Sequence, residues 1–358
     1  IPILIILIGG GLYLSFITGF VQVRHFPTII KSTVGSMFNK EEMKEETGKH
    51  HGTISSFQAV SAALAAVLGT GNIVGVGTAI AAGGPGAIFW MWVVGFVAMA
   101  LKYSEACVSI AVREKKPEGG YKGGANYYLS KINKPLGFAW SIAIMYGLIT
   151  AAGVHTGSVV TAAESLGVPR LVATIIVCII IALIIFGGLQ ALVQITERLV
   201  PFMAAIYILA GLAVVVLNIG NLVPAFVSIF KGAFTGTAAL GGFAGATVSA
   251  AIRNGCARGV YSSDAGNGQS SIAYAQSSET DPVKQGMWGV FEVFFDTIVV
   301  CTFTALVILC TGVWQTGEAG STLAITAFKS ALGGAGNVIA SLGLMMFAGS
   351  TVLAFCTF

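Results

Sequence analysis

The sequence predicts an all-α polytopic membrane protein, and three observations carry that reading. Only 9% of the 358 residues are charged and 55% belong to the AVILMFWYC set, whereas an ordinary soluble domain carries roughly 25% charge. Mean hydropathy is +0.86. Glycine supplies 47 residues, nearly twice its usual share of roughly 7%, and it is over-used where membrane helices pack closely or break. So little charge cannot cover the surface of a soluble globule. A soluble enzyme, a disordered tail, a collagen and a disulfide-stapled secreted domain are therefore excluded. The net charge of +4, from 19 basic and 15 acidic residues, gives no reason to expect a nucleic-acid partner. Cys107, Cys178, Cys256, Cys301, Cys310 and Cys356 lie in apolar stretches without a CxxC pair, and read as small packing residues.

A spanning helix needs about 20 apolar residues, and the charged residues serve as dividers. The first predicted span is 1–22. It is too long and too poorly flanked for a signal peptide. Residues 54–101 are free of charge, long enough for two spans, 54–82 and 86–112. Gly83-Gly84-Pro85-Gly86 marks the turn between them. Further spans follow at 138–163, 170–190, 197–218, 236–257, 286–312 and 335–358, nine in all. The chain is apolar from Ile1 and again from Val352 to Phe358, so the expectation is truncation inside membrane segments at both ends. Residues 41–46 mix signs and read as a solvated surface helix.

Cytoplasmic loops carry an excess of Lys and Arg. If the first span runs from outside to inside, 15 of the 19 basic residues fall in inner loops, among them Arg24, Arg113, Lys122, Arg253 and Arg258. Only Arg170, Lys231 and Lys329 then lie outside, with Lys102 inside a span. The expected location is the plasma membrane, multi-pass, with the N-terminal end of this chain extracellular.

Two spans look unfit to be continuous helices. The second contains Gly69-Thr70-Gly71-Asn72-Ile73-Val74-Gly75-Val76-Gly77-Thr78, and the seventh Gly241-Gly242-Phe243-Ala244-Gly245-Ala246-Thr247. Gly costs about 1 kcal/mol per helix position relative to Ala. One reading is close packing through small residues. The other follows from their opposite directions. A pair of Gly-interrupted spans, one in each half, points to an inverted-repeat transporter with a site near the membrane midplane. The repeats would be 54–218 and a partial 236–358, behind an extra N-terminal helix at 1–22. Unwound backbone at that depth is tolerated only where it lines a cavity or is buried in protein. Freed amides at a half-helix N-terminus attract a carboxylate. Freed carbonyls with hydroxyl and amide oxygens suit a hard monovalent cation. That pair of ligands is an amino acid and Na⁺.

Several segments resemble the alanine or glycine:cation symporter family, also called sodium:alanine symporters. They are Gly69-Thr70-Gly71-Asn72-Ile73, Gly83-Gly84-Pro85-Gly86-Ala87-Ile88-Phe89-Trp90-Met91-Trp92, Lys102-Tyr103-Ser104-Glu105-Ala106, Arg258 to Gly266, Asp296 to Thr302, and Ser350-Thr351-Val352-Leu353. They run in order from about residue 54 to the end. The resemblance implies an inverted five-helix-repeat (LeuT-like) fold behind one extra helix, with Na⁺ as coupling ion and no other cofactor. It also implies a small neutral amino acid as substrate. Two departures stand out. Family members often place a Gln in the fourth span near the substrate, where this chain has His155. Their Asn-Glu-Ala-Gly-Leu-Gly is here Ser263-Asp264-Ala265-Gly266-Asn267-Gly268.

The candidate substrate site is Thr70, Gly71, Asn72, Gly75 and Thr78 of the second span, faced by Gly242, Gly245 and Thr247 of the seventh, with His155. The competing reading of these is small-residue packing, and of His155 an interhelical hydrogen bond. By the resemblance, Ser350 and Thr351 complete a Na⁺ site with Gly69 and Asn72. The alternative is hydroxyls bonded to their own i−4 carbonyls. Lys102 and Glu105 form an intrahelical pair. Glu292 and Asp296 share a helix face and a sign, so one would pair with a basic residue such as Arg253 or carry a proton. Arg258 to Gly268 reads as a gate or re-entrant segment at the cytoplasmic mouth, with Asp264 pairing to a Lys or Arg.

The expected function is symport of Na⁺ with alanine or glycine. Alternatives are an H⁺-coupled transporter of another amino acid and a channel. No His-Glu-x-x-His, Gly-x-Ser-x-Gly or nucleotide loop is present, so no catalytic residue is predicted.

Overall fold

The computed structural model describes residues 2–37, 54–117, 119–186, 188–235 and 247–356. The chain begins with α1, Pro2–Ile17. It turns through left-handed Gly19 and Phe20 and enters α2, Phe26–Met37. The proposed surface helix at 41–46 lies outside the described residues. So do Gly241, Gly242, Gly245 and Ala246.

The second span is broken, as its glycines predict. Helix α3, Ser56–Val67, starts on a capping box of Ser55 and Gln58. A π-helical turn, Gly71–Gly75, follows the break and leads into α4, Val76–Gly83. The two halves are bent by 48°. Gly84 has a φ of 69° and closes α4, a conformation that costs glycine nothing. Pro85 then cannot continue the helix.

Helix α5, Ala87–Val112, is the scaffold. A two-strand hairpin, β1 Glu114–Lys115 and β2 Tyr121–Lys122, follows it. Next come α6, Ala125–Ile132; α7, Lys134–Ser165; α8, Arg170–Phe186; α9, Gly188–Leu217; and α10, Leu222–Thr235. After the undescribed stretch come α11, Val248–Ser263, and the short α12, Ser270–Ala275. Helix α13, Pro282–Cys310, carries a π-helical stretch at Phe294–Val300. Helix α14, Gly320–Phe355, is kinked at Gly333, whose φ is 64° and ψ −140°.

Among the described residues, five helices are long and apolar enough to cross a membrane, or six with the bent pair. The count of nine is thus met only in part. Helices α1, α8 and α10 are apolar but shorter. Of the seventh expected span, 236–257, only the part from 247 on lies among the described residues. It is helical at Val248–Ser263, so Arg253 and Arg258 lie within a helix rather than in an inner loop. A turn follows it at 264–269, where Asp264, Gly266 and Gly268 all have positive φ.

Helices α11 and α13 both pack on α5, and small residues allow it. A Cβ on Gly255 would fall on the Ala87 carbonyl oxygen, and one on Gly259 would crowd Val94 and the Met91 backbone. Gly255 and Gly259 have the small-xxx-small spacing of close helix contacts. Helix α14 packs along α7 and crosses α3 and α9. The two broken spans thereby meet beside α5, α7 and α14.

Candidate functional site

Three groups of polar residues gather where the second span unwinds. The first joins α14 to the break. At Leu68, ψ of 82° leaves the helical region, and the carbonyls of the preceding turn lose their intrahelical partners. Thr351 Oγ1 lies 3.1 Å from Ala65 O and 3.4 Å from Leu68 O, and Ser350 Oγ lies 3.4 Å from Ala65 O. Each hydroxyl also approaches Phe347 O on its own helix, at 2.9 Å from Ser350 and 3.1 Å from Thr351. Both hydroxyls thus approach carbonyls of the break and of their own helix, the i−4 carbonyl for Thr351 and the i−3 carbonyl for Ser350. Yet a hydroxyl has one proton, and two protons cannot make five bonds. Several of these contacts bring oxygen to oxygen with no hydrogen between. Crowded oxygens of this kind suit a small cation.

The second group faces a cavity of about 260 Å³. Its walls include Gly71, His155, Tyr261, Asp264, Gln269 and Phe355. His155 is 4% exposed. Its Nδ1 accepts from Thr70 N at 3.4 Å, and its ring stands edge-on to Phe355. An acceptor Nδ1 places the imidazole proton on Nε2. Thr70 Oγ1 is 3.3 Å from Tyr261 Oη, which ties the two broken spans together. Gly69 sits between His155 and Thr351. A Cβ there would come within 2.7 Å of His155 Cε1, so only glycine lets the cation group and the cavity adjoin. A larger cavity of about 510 Å³ adjoins across Ile144, Leu148 and Phe355, but no acidic, basic or histidine side chain lines it.

The third group is buried around Asp296. Asn72 Nδ2 donates to Asp296 Oδ1 at 2.6 Å, and Asn72 Oδ1 accepts from Gly69 N at 3.0 Å. Ser262 and Thr297 hydroxyls each donate to Asp296 Oδ2 at 2.7 Å. The side chain of Cys301 completes the cluster, 3.2 Å from Ser262 Oγ.

The structure thus unites Gly69, Thr70, Gly71, His155, Ser350 and Thr351. It does not bring in all the predicted residues. Thr78 turns back to its own helix and donates to Val74 O at 2.7 Å. Thr247 is exposed and caps α11 by accepting from Ala250 N. Gly75 is buried beside the Thr70 carbonyl and the Arg258 side chain, away from the cavity wall. The contacts of Asn72 run to Asp296 rather than to the Ser350–Thr351 pair. The amides of Gly69 and Thr70, which the sequence reading offers to a carboxylate, already have side-chain partners in Asn72 and His155.

Charge pairing also differs from expectation. Glu292 pairs not with Arg253 but with Lys102, at 3.4 Å, and both side chains are fully buried. Lys102 Nζ also lies 3.8 Å from Glu105. It donates to Ser270 Oγ at 2.9 Å and to the carbonyl of Asp264 at 3.3 Å. Ser270 and Tyr274 hydroxyls donate to Glu292. Sequence reasoning missed Gln269, Tyr261 and Ser262. Tyr261 and Ser262 lie in the family-like segment Arg258 to Gly266 and Gln269 directly follows the polar, glycine-rich stretch, but neither signal singles out these side chains.

A profile of the family described as "Sodium:alanine symporter family" matches residues 1–358. The sodium/alanine symporter AgcS of Methanococcus maripaludis is 41% identical over 365 residues, covering 98% of this chain and 77% of that protein. An uncharacterized transporter of Haemophilus influenzae is 41% identical over 99% of this chain and 77% of its own length. A putative sodium/proton-dependent alanine carrier protein of Bacillus subtilis, YrbD, is 37% identical over 99% of this chain and 74% of its own. Broken helices, a cavity lined by His155 and Asp264 beside the break and a match from end to end converge on one assignment: the chain belongs to the sodium:alanine symporter family, a family of membrane transporters rather than enzymes.

Proposed function

We propose that the protein couples Na⁺ entry to uptake of a small neutral amino acid by alternating access. One observation carries the reading: the Ser350 and Thr351 hydroxyls converge on the unwound carbonyls of Ala65 and Leu68, beside a cavity that begins at Gly71 and His155. A cation there neutralises the carbonyl dipoles freed by the break. It thereby favours the conformation in which α3 and α14 are held together, which lends the adjoining cavity its shape. Ion and substrate then stabilise the same state, and thermodynamic linkage makes each raise the affinity for the other. The names of the relatives, with alanine as the stated cargo of two, favour alanine. The proposed architecture is an inverted repeat of 54–218 and 236–358 behind the helix at 1–22, in the plasma membrane.

The test is uptake of radiolabelled alanine by reconstituted proteoliposomes under an inward Na⁺ gradient, against an inward K⁺ gradient at the same pH. Uptake with Na⁺ alone is expected. Equal uptake under both gradients would overturn Na⁺ coupling and favour H⁺. No uptake of any neutral amino acid would overturn the substrate reading.

A further inference from the structure

The stretch between α5 and α7 carries the net charge of the whole chain. Residues 113–134 hold six basic and two acidic residues, a net +4, and the other 13 basic and 13 acidic residues cancel. Both flanking helices are long and apolar enough to cross a membrane, so the stretch lies at one membrane surface. Part of its charge is used within the protein. Arg113 turns inward to the carbonyls of Ala275, Ser277 and Glu279, and Lys122 pairs with Glu114 at 3.5 Å. Lys115, Lys131 and Lys134 are exposed and have no ion-pair partner among the described residues. The sequence from Gly119 to Ala163 contains no Asp or Glu.

Lys131 and Lys134 meet at an elbow. Helix α6 ends at Ile132, Asn133 is extended with φ −156° and ψ 122°, and α7 starts at Lys134. The apolar side chains next along the chain are turned outward. Ile132 is 78% exposed, Phe138 70% and Leu136 45%. An exposed isoleucine between two lysines is a poor surface to show to water and a good one to sink into a headgroup layer. Tyr127 and Tyr128 on α6 and Trp140 on α7 add amphipathic rings of the kind enriched at membrane boundaries. Lysine stems lie along apolar surface while their ammonium groups stay with water or phosphate. The elbow thus offers two unpaired cations at the rim of an apolar surface. An acidic protein would match the charge alone, whereas a lipid matches both.

We infer that the α6–α7 elbow binds an anionic phospholipid, its phosphate held by Lys131 and Lys134 and its acyl chains laid against Ile132, Leu136 and Phe138. Lys115, on the hairpin at the other end of α6, adds a longer-range attraction that salt screens. The bound headgroup anchors the start of α7, the helix that carries His155 to the cavity.

The experiment follows the thermal stability of the detergent-solubilised full chain as phosphatidylglycerol is added, against phosphatidylcholine of the same acyl chains and against inorganic phosphate. Phosphatidylglycerol is expected to stabilise at lower concentration than phosphatidylcholine, and inorganic phosphate not at all. A lysine at the membrane surface changes affinity for anionic lipid about fivefold. Lys131→Gln with Lys134→Gln is therefore expected to raise the phosphatidylglycerol concentration for half the effect about 25-fold, with the phosphatidylcholine response unchanged. Lys131→Arg with Lys134→Arg is expected to keep wild-type binding. So is Lys231→Gln with Lys329→Gln, which removes two exposed lysines of other helices and the same amount of charge. A double Gln variant that responds to phosphatidylglycerol within twofold of wild type would overturn the inference, even if its unfolding temperature without lipid had fallen. An equal loss in the Lys231, Lys329 variant would overturn it too, because net charge would then explain the effect. Stabilisation by inorganic phosphate at the lipid's concentration would overturn the lipid and leave a site for a soluble anion. Should the double Gln variant fail to fold, the two single variants decide, each with an expected fivefold shift. These readouts are of binding, so they stand apart from the ion and the substrate that the protein carries.

Discussion

Thr351 decides more than its size suggests, because its single proton cannot satisfy three carbonyl oxygens. Replacing it by Val keeps the shape and removes the oxygen. The Na⁺ concentration giving half-maximal uptake is then expected to rise at least about tenfold, since a hard cation loses an oxygen ligand without replacement. Ser350→Ala is expected to do less, as Ser350 reaches one carbonyl of the break and Thr351 two. An unchanged Na⁺ dependence in Thr351→Val would show that the hydroxyl only bonds its own helix. Lys102 poses the opposite case, a charge whose removal harms its neighbours. Lys102→Met leaves Glu292 buried and unpaired, a loss of roughly 3–5 kcal/mol. Lys102→Met with Glu292→Met removes both charges, and most of that loss is expected to return. Thermal unfolding in detergent compares the two. A double variant no more stable than the single would argue that the pair does not carry the cost.

At the scale of helices, packing rests on a few close approaches. Gly255 presses its backbone against Ala87, whereas Gly153 on α7 has nothing within 4 Å of where a Cβ would stand. Gly255→Ala is therefore expected to destabilise by about 1–3 kcal/mol through overpacking, and Gly153→Ala to be neutral or to gain about 0.5–1 kcal/mol from reduced backbone freedom. Thermal unfolding of the two, side by side, checks this, and equal effects would refute the packing account. The same contrast explains what was legible in the sequence. Gly69-Thr70-Gly71-Asn72 announced the first break because mid-membrane glycines with polar neighbours demand a cavity, and Ser350–Thr351 duly meets it. The second predicted break, at Gly241 to Gly245, lies outside the described residues. The turn at 264–269 depends on Lys102 and Glu105 gripping its backbone from another helix, and no local pattern encodes that grip. The pairing of Asn72 with Asp296 is likewise long-range. It joins two π-helical stretches, Gly71–Gly75 and Phe294–Val300, whose extra residue per turn no hydropathy pattern displays.

For the whole molecule, the open question is which face meets the cytoplasm. The structure gathers the start of α3, the end of α5 and the stretch after α12 on one face. Ile54 exchanges backbone hydrogen bonds with Gln276 and Ser278. The Arg113 guanidinium donates to the carbonyls of Ala275, Ser277 and Glu279 and stacks on Tyr121. Three loops that the charge pattern assigned to the same side therefore do share a side, although Arg253 and Arg258 dropped out of that tally. The face also bears the hairpin with Lys115 and Lys122, and basic residues beside short loops are retained on the cytoplasmic side. The exposed Lys122 and Lys329 test this directly. In right-side-out membrane vesicles, a membrane-impermeant maleimide is expected to label Lys329→Cys at once and Lys122→Cys only after the vesicles are opened. Subtracting the signal of the unsubstituted protein removes the contribution of its own cysteines. The reversed pattern would place the hairpin outside and overturn the orientation read from the charges.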